Sequence, residues 1–220
     1  MRVLLTFIVL VIGIFTAYYM NKTAQERKQL PVIQPRDVKS DMVNPELINM
    51  GIGHRIGKFA LTNQNGETIT LKDVEDKIFV AEYFFTTCLT ICPIMTEEMM
   101  RVQDRFKGND EVKILSFTVD PETDNVEVMK AYAKKHNAVD GQWHFLTGTK
   151  DDLYSLARNS FFVLKPAEAR NLGDAGSDFI HTNNFVLVDK ELQIRGYYDG
   201  TSTEEVNVLM EDIELLLNEK

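Results

Sequence analysis

Residues 78–93 read Ile78-Phe79-Val80-Ala81-Glu82-Tyr83-Phe84-Phe85-Thr86-Thr87-Cys88-Leu89-Thr90-Ile91-Cys92-Pro93. The first eight form an apolar run broken only by Glu82, which fits a central strand covered on both faces. After Pro93 the period changes. Met95, Met99, Val102 and Phe106 recur at helical spacing. Glu97 and Glu98 come early and Arg101, Arg105 and Lys107 late, as the helix macrodipole favours, and Gly108 ends the pattern. The turn between strand and helix holds Cys88 and Cys92, the chain's 2 cysteines.

Upstream, Phe59 to Thr62 and Thr68 to Leu71 flank Asn65-Gly66, a two-residue hairpin signal. Downstream, Val112 to Val119 reads as a strand, Asp120-Pro121 as a turn, and Val126, Met129 and Ala133 as a helix. His144 to Leu146 is a short strand and Asp151 to Arg158 a short helix. Asn184 to Val188 and Leu192 to Tyr198 read as strands joined at Asp189-Lys190. Ser202 to Glu205 is a capping box opening a helix on Val206, Leu209, Ile213 and Leu217. Alternating βαβ, then an antiparallel hairpin and a last helix, is the thioredoxin-like arrangement. The expected class is therefore α/β, a thioredoxin-like fold with an N-terminal hairpin.

Val3 to Met20 is apolar apart from Thr6, Thr16 and two tyrosines. As a helix it would reach roughly 27 Å, close to the ~30 Å hydrocarbon core of a bilayer. Tyr18 and Tyr19 stand where an interfacial belt belongs. A cleaved signal peptide is the rival reading, but the run exceeds the usual h-region and no clear small-x-small site follows. The expectation is a transmembrane anchor over residues 1–20, a proline-bearing stalk over 21–56, and the folded domain over 57–220. With no cysteine near the run, a lipoprotein anchor is excluded. The amino terminus and Arg2 lie on one side of the run and Lys22, Arg27 and Lys28 on the other, a charge balance that by itself slightly favours the wrong end for export. The formal charge of −9 makes nucleic acid and anionic headgroups unsuitable partners.

Pro93 fits the first helical turn, where its missing N–H costs nothing, so Cys92 lies at or beside a helix N-terminus. Cys88 is about one turn earlier. Backbone N–H groups and the helix dipole stabilise a thiolate there. Metal ligation and thiol–disulfide exchange both need that thiolate, so the pair alone leaves the two open. Burial of two small hydrophobes is the bland alternative, poorly suited to a pair confined to one turn.

His181 opens a strand far downstream. In a thioredoxin-like fold that loop faces the cysteine turn, and thioredoxins place a cis-proline there. This chain has no proline after Pro166 and presents an imidazole instead. Two thiolates and an imidazole suit copper or zinc, and soft thiolates favour cuprous copper. Three ligands fall short of the closed four-ligand shell of structural zinc. Met95 and Met99 lie on the apolar stripe and read as core. His54, His136 and His144 carry no comparable signal.

The chain resembles the Sco/SenC family of membrane-anchored, copper-binding thioredoxin-like proteins. The family's T-x-C-P-D-x-C-P is similar to Thr86-Thr87-Cys88-Leu89-Thr90-Ile91-Cys92-Pro93. Thr118-Val119-Asp120-Pro121-Glu122-Thr123-Asp124 resembles its Ser-x-Asp-Pro-x-x-Asp stretch, and Leu146-Thr147-Gly148-Thr149 its Leu-Thr-Gly-Thr element. The region from Asp178 to His181 is similar to its Asp-x-x-x-His strand start. The resemblance covers about Gly57 to the C-terminus. It implies copper, as Cu(I) and Cu(II), held by Cys88, Cys92 and His181. It also implies an extracytoplasmic (periplasmic) domain and a metallochaperone role in maturing the binuclear copper site of cytochrome c oxidase. The implied partner is the copper-bearing oxidase subunit or another copper or thiol protein. The alternative is a thiol–disulfide oxidoreductase working through the redox pair Cys88 and Cys92. Leu89 and Thr90 depart from the family's Pro-Asp, and the spacing before His181 is shortened. A peroxiredoxin-like peroxidase is disfavoured because no proline precedes the cysteine in Tyr83-Phe84-Phe85-Thr86-Thr87.

Overall fold

The structure is a computed structural model that describes residues 11–16, 29–49, 53–163 and 182–219. The body from Pro31 to Lys220 forms one compact unit. It is built on a sheet of seven strands, β1 (Ala60–Asn63), β2 (Thr68–Thr70), β3 (Ile78–Phe84), β4 (Val112–Thr118), β5 (Trp143–Thr147), β6 (Asn184–Val188) and β7 (Ile194–Asp199). Four helices of at least ten residues accompany it: α1 (Cys92–Arg105), α2 (Val126–Lys135), α3 (Lys150–Asn159) and α4 (Thr203–Leu217). The spatial order is β2-β1-β5-β4-β3-β6-β7. Strands β3, β4 and β5 run parallel. The two hairpins flank them antiparallel, β1 on β5 and β6 on β3.

All seven residues of β3 are buried, as its unbroken apolar run requires of a central strand. Its alternating side chains serve two layers. Phe84 packs on Tyr132 of α2 and Phe145 of β5, on the side where α1, α2 and α4 lie. Phe79 and Tyr83 face the opposite side and meet Phe161, just beyond α3. Met95 and Met99 of α1 are fully buried core, as the stripe predicts.

Both hairpins use one turn chemistry. Asn63 Oδ1 accepts from the N–H groups of Asn65 and Glu67, each at 2.9 Å. Asp189 Oδ1 accepts from Glu191 and Gln193 in the same way. The fourth residue of each turn is left-handed, Gly66 at φ +79° and Leu192 at φ +65°. The Asn65-Gly66 turn is therefore a correction to the sequence reading. Its loop has three residues, Gln64 to Gly66, because Asn63 and Glu67 still pair across it and the glycine takes the αL position of a three-residue hairpin.

Part of the expected stalk lies against the sheet. The Ile33 N–H donates to Ile194 O at 2.8 Å and the Ile56 N–H to Leu192 O at 2.9 Å. Val43 and Ile56 are buried in the core layer shared with α3. Of the apolar N-terminal run only residues 11–16 are described, and they are helical. Among the described residues no helix is long and apolar enough to cross a membrane.

Candidate metal and thiol centre

Three features of the chain shape the cysteine turn. The Cys88 N–H donates to Phe85 O at 3.2 Å, closing a tight turn straight off the end of β3. Cys92 is the first residue of α1, with Pro93 behind it in the first turn. No side chain caps this helix, so its orphan N–H groups point at whatever lies before it. What lies there is a sulfur: the Cys92 N–H donates to Cys88 Sγ at 3.4 Å. Thr90 Oγ1 stands 3.7 Å from the same sulfur. Both cysteines are free and buried, whereas Leu89 between them is 91% exposed.

The two thiols are electrostatically unequal. Burial would raise Cys88. Hydrogen bonds from the Cys92 thiol and N–H, and from the Thr90 N–H and hydroxyl, outweigh it and bring Cys88 down to about 7. Burial pushes Cys92 up to about 12, and its hydrogen bond to Cys88 and the charges of Cys88 and Glu82 add to this; only the Phe85 N–H opposes it. At neutral pH Cys88 is therefore partly ionised, whereas Cys92 stays a thiol.

Beneath the pair lies a carboxyl that sequence patterning treated only as a break in a run. Glu82 is buried in the middle of β3. Burial lifts it to about 7, against the hydrogen bond that the Ser116 hydroxyl donates at 2.5 Å. Trp143 Nε1–H in turn donates to Ser116 Oγ at 2.8 Å. A lone acidic residue in a strand covered on both faces was the signal for it. On the other flank, the Thr96 hydroxyl donates to Cys92 O at 2.8 Å and lies 2.8 Å from the Tyr132 hydroxyl. That contact fixes the first turn of α1 to α2.

His181 lies outside the described residues, as do Asp178 and the rest of residues 164–180. Among the described residues no group of three or more His, Cys, Asp or Glu side chains is gathered for a metal. The other histidines are committed elsewhere. His54 Nε2 meets Ser160 O at 2.8 Å, His136 packs on Tyr132, and His144 is buried beside Asn63. The donors present fit a soft ion. They are two sulfurs on one turn, the first held near its ionisation point by fixed N–H donors.

The sequence matches the SCO1/SenC family across residues 52–218. It is 31% identical over 164 residues to the SCO1 protein homolog of Bacillus subtilis, covering 74% of this chain and 82% of that protein. The fold superposes at TM-score 0.65 and 28% identity on BsSco, a member of the Sco family of cytochrome c oxidase assembly proteins in which a disulfide switch was identified. That match covers 77% of this chain and 96% of BsSco. The copper-bound ScoI of Bradyrhizobium japonicum shares the fold at TM-score 0.57 and 21% identity, over 74% of this chain and 99% of that one. The family match over residues 52–218 and the Bacillus subtilis relative together show that the chain belongs to the SCO1/SenC family.

Proposed function

We propose that this protein is a copper metallochaperone that carries copper on Cys88, Cys92 and His181 and assists maturation of the binuclear copper site of cytochrome c oxidase. The observation that carries the reading is the Cys92 N–H directed at the Cys88 sulfur, with that thiol drawn down to about 7. Cys88 meets the ion as a thiolate. Cys92 gives up its proton as the second sulfur engages, and so forms the more readily displaced contact. The copper-bound relative and the oxidase-assembly relative support the cargo and the destination. The apolar run Val3 to Met20 supports an anchor, and the extracytoplasmic side for the body rests on the family resemblance.

The test is anaerobic Cu(I) titration of the reduced full chain, run beside Cys88→Ser, Cys92→Ser and His181→Ala. One equivalent should bind with high affinity, both serine variants should lose it, and His181→Ala should weaken it and alter the Cu(II) charge-transfer bands. Unchanged affinity and spectra in His181→Ala remove the imidazole from the site.

The inequality of the thiols favours a second reading as well, a thiol–disulfide oxidoreductase. Cys88 thiolate attacks one sulfur of a partner disulfide and releases the other as a thiolate. Cys92, on losing its proton, then attacks Cys88 Sγ and frees the partner's second thiol. The partner gains two electrons and this chain is left with a Cys88–Cys92 disulfide. Stoichiometric reduction of a disulfide substrate by the reduced, copper-free protein, abolished by Cys88→Ser, distinguishes this role.

A further inference from the structure

Asp124 lies in the turn between β4 and α2 and is completely buried. Among the described residues no lysine, arginine or histidine forms an ion pair with it. A buried carboxylate needs hydrogen bonds to offset its desolvation, and its donors come from two strand ends. The Thr86 N–H donates to both carboxylate oxygens, at 3.3 and 3.2 Å. The Thr86 hydroxyl donates to Oδ1, and the Thr118 hydroxyl to Oδ2 at 2.5 Å. Thr86 follows Phe85, whose carbonyl closes the turn onto the Cys88 N–H. Thr118 ends β4 and pairs in register with Phe84.

We infer that Asp124 is a positioning residue for the cysteine turn. It clamps Thr86 from both its backbone and its hydroxyl and so fixes where Cys88 Sγ sits relative to the Cys92 N–H. The loop that holds the carboxylate is itself tied down. The Asp124 N–H donates to Asp120 O at 2.8 Å, the Asp120 N–H to Thr118 Oγ1 at 3.0 Å, and Asn125 caps α2 through the Val128 N–H. A carboxylate is required because it only accepts. An amide in its place would set an N–H₂ group against the Thr86 N–H or one of the two hydroxyls. The ligand-bearing turn thus takes its geometry from a neighbouring strand and helix and not from the residues Thr87 to Ile91 alone.

This inference rests on the thiol and copper reading of the same turn, and its test separates the two. Asp124→Asn and Thr86→Val are made in the full chain, with Tyr198→Phe as a stability control. Tyr198 donates to buried Asp212 of α4 at 2.8 Å from the edge strand β7, two strands away from β3. Each protein is equilibrated with reduced and oxidised glutathione, which exchanges two electrons with the Cys88–Cys92 pair and needs no metal. Its Cu(I) affinity is measured separately by chelator competition. Asp124→Asn should change the dithiol–disulfide equilibrium constant at least tenfold. It should also weaken Cu(I) binding roughly 10–100-fold, the usual cost of losing an outer support of a metal site. Thr86→Val, which keeps the backbone bond, should shift both in the same direction but less, and it decides the matter if Asp124→Asn does not fold. Tyr198→Phe should lower stability and leave both constants unchanged. Wild-type constants in folded Asp124→Asn or Thr86→Val overturn the positioning role. Failure of wild type to bind Cu(I), with the glutathione shift intact, overturns the copper reading and leaves this one standing.

Discussion

The backbone N–H of Cys92 and the sulfur of Cys88 face each other at 3.4 Å across the start of α1. The contact makes one cysteine the acceptor of a helix N-terminus and leaves the other inside that helix. Burial opposes ionisation of both thiols, but only Cys88 has donors enough to overcome it. Alkylation of the reduced, metal-free protein should therefore proceed in two separated stages. Cys88 should react with a rate that rises through a midpoint near pH 7. Cys92 should stay nearly inert until far more alkaline pH. Site-resolved mass spectrometry after brief iodoacetamide exposure reads both rates, and a common midpoint near the ordinary thiol value of about 8.5 would contradict the asymmetry.

The same inequality fixes a proton count. A metal that takes two thiolates displaces whatever protons they hold. In His181→Ala, which removes any imidazole contribution, Cu(I) uptake should release close to two protons per ion at pH 6. It should release close to one at pH 8.5, where Cys88 is already ionised and Cys92 is not. Titration in weakly buffered solution with a pH indicator gives the number directly. A value still at about 1.5 at pH 8.5 would mean that Cys88 is an ordinary thiol.

The strand, turn and helix around the cysteines were legible in the sequence because three local signals agree there. An apolar run announces β3, Pro93 marks the first turn of α1, and the period switches between them. The terminal helix was legible for the same reason, its capping box leading straight into the apolar stripe. What escaped the sequence is non-local. Val43 and Ile56 are isolated apolar residues in a polar stretch, and no period reveals that they join the core. The antiparallel docking of β1 on β5 joins Thr62 to Thr147 and Asn63 to Leu146, a pairing no local propensity encodes. Asp124 was visible as part of a motif, yet its partner Thr86 stands 38 residues away. The split between the two thiols depends on donor distances that spacing cannot supply.

Arg195 offers a test of how the outer edge of the sheet is secured. Its buried guanidinium donates to Asp189 at 3.0 Å and to Glu219 at 2.8 Å, and to Pro31 O at 3.3 Å. One side chain thus joins the β6–β7 turn, the residues after α4 and the N-terminal segment. Arg195→Ala leaves Asp189 buried without its cation, a change that typically costs about 3–5 kcal/mol. Urea unfolding at neutral pH should show a loss of that order. Asp189→Ala/Arg195→Ala should lose less than the sum of the single changes, because the stranded charge is gone.

Glu82 should make stability fall as pH rises. Its carboxyl titrates near 7 in the folded chain and near 4.5 when unfolded, where water surrounds it. Between those values the folded state holds a proton that the unfolded state has lost, so the slope of unfolding free energy with pH is negative. The contribution is fully present below about pH 4.5 and is lost as pH passes through 7. If this carboxyl acted alone, the loss would be about 3 kcal/mol. Glu82→Gln keeps the shape and an acceptor for the Ser116 hydroxyl but cannot ionise. Its unfolding free energy should match or fall slightly below wild type at pH 5 and exceed it at pH 8, so the two curves cross. Chemical denaturation of the copper-free, reduced protein at several pH values measures both curves. Parallel curves would show that Glu82 keeps an ordinary carboxylate pKa in spite of its burial.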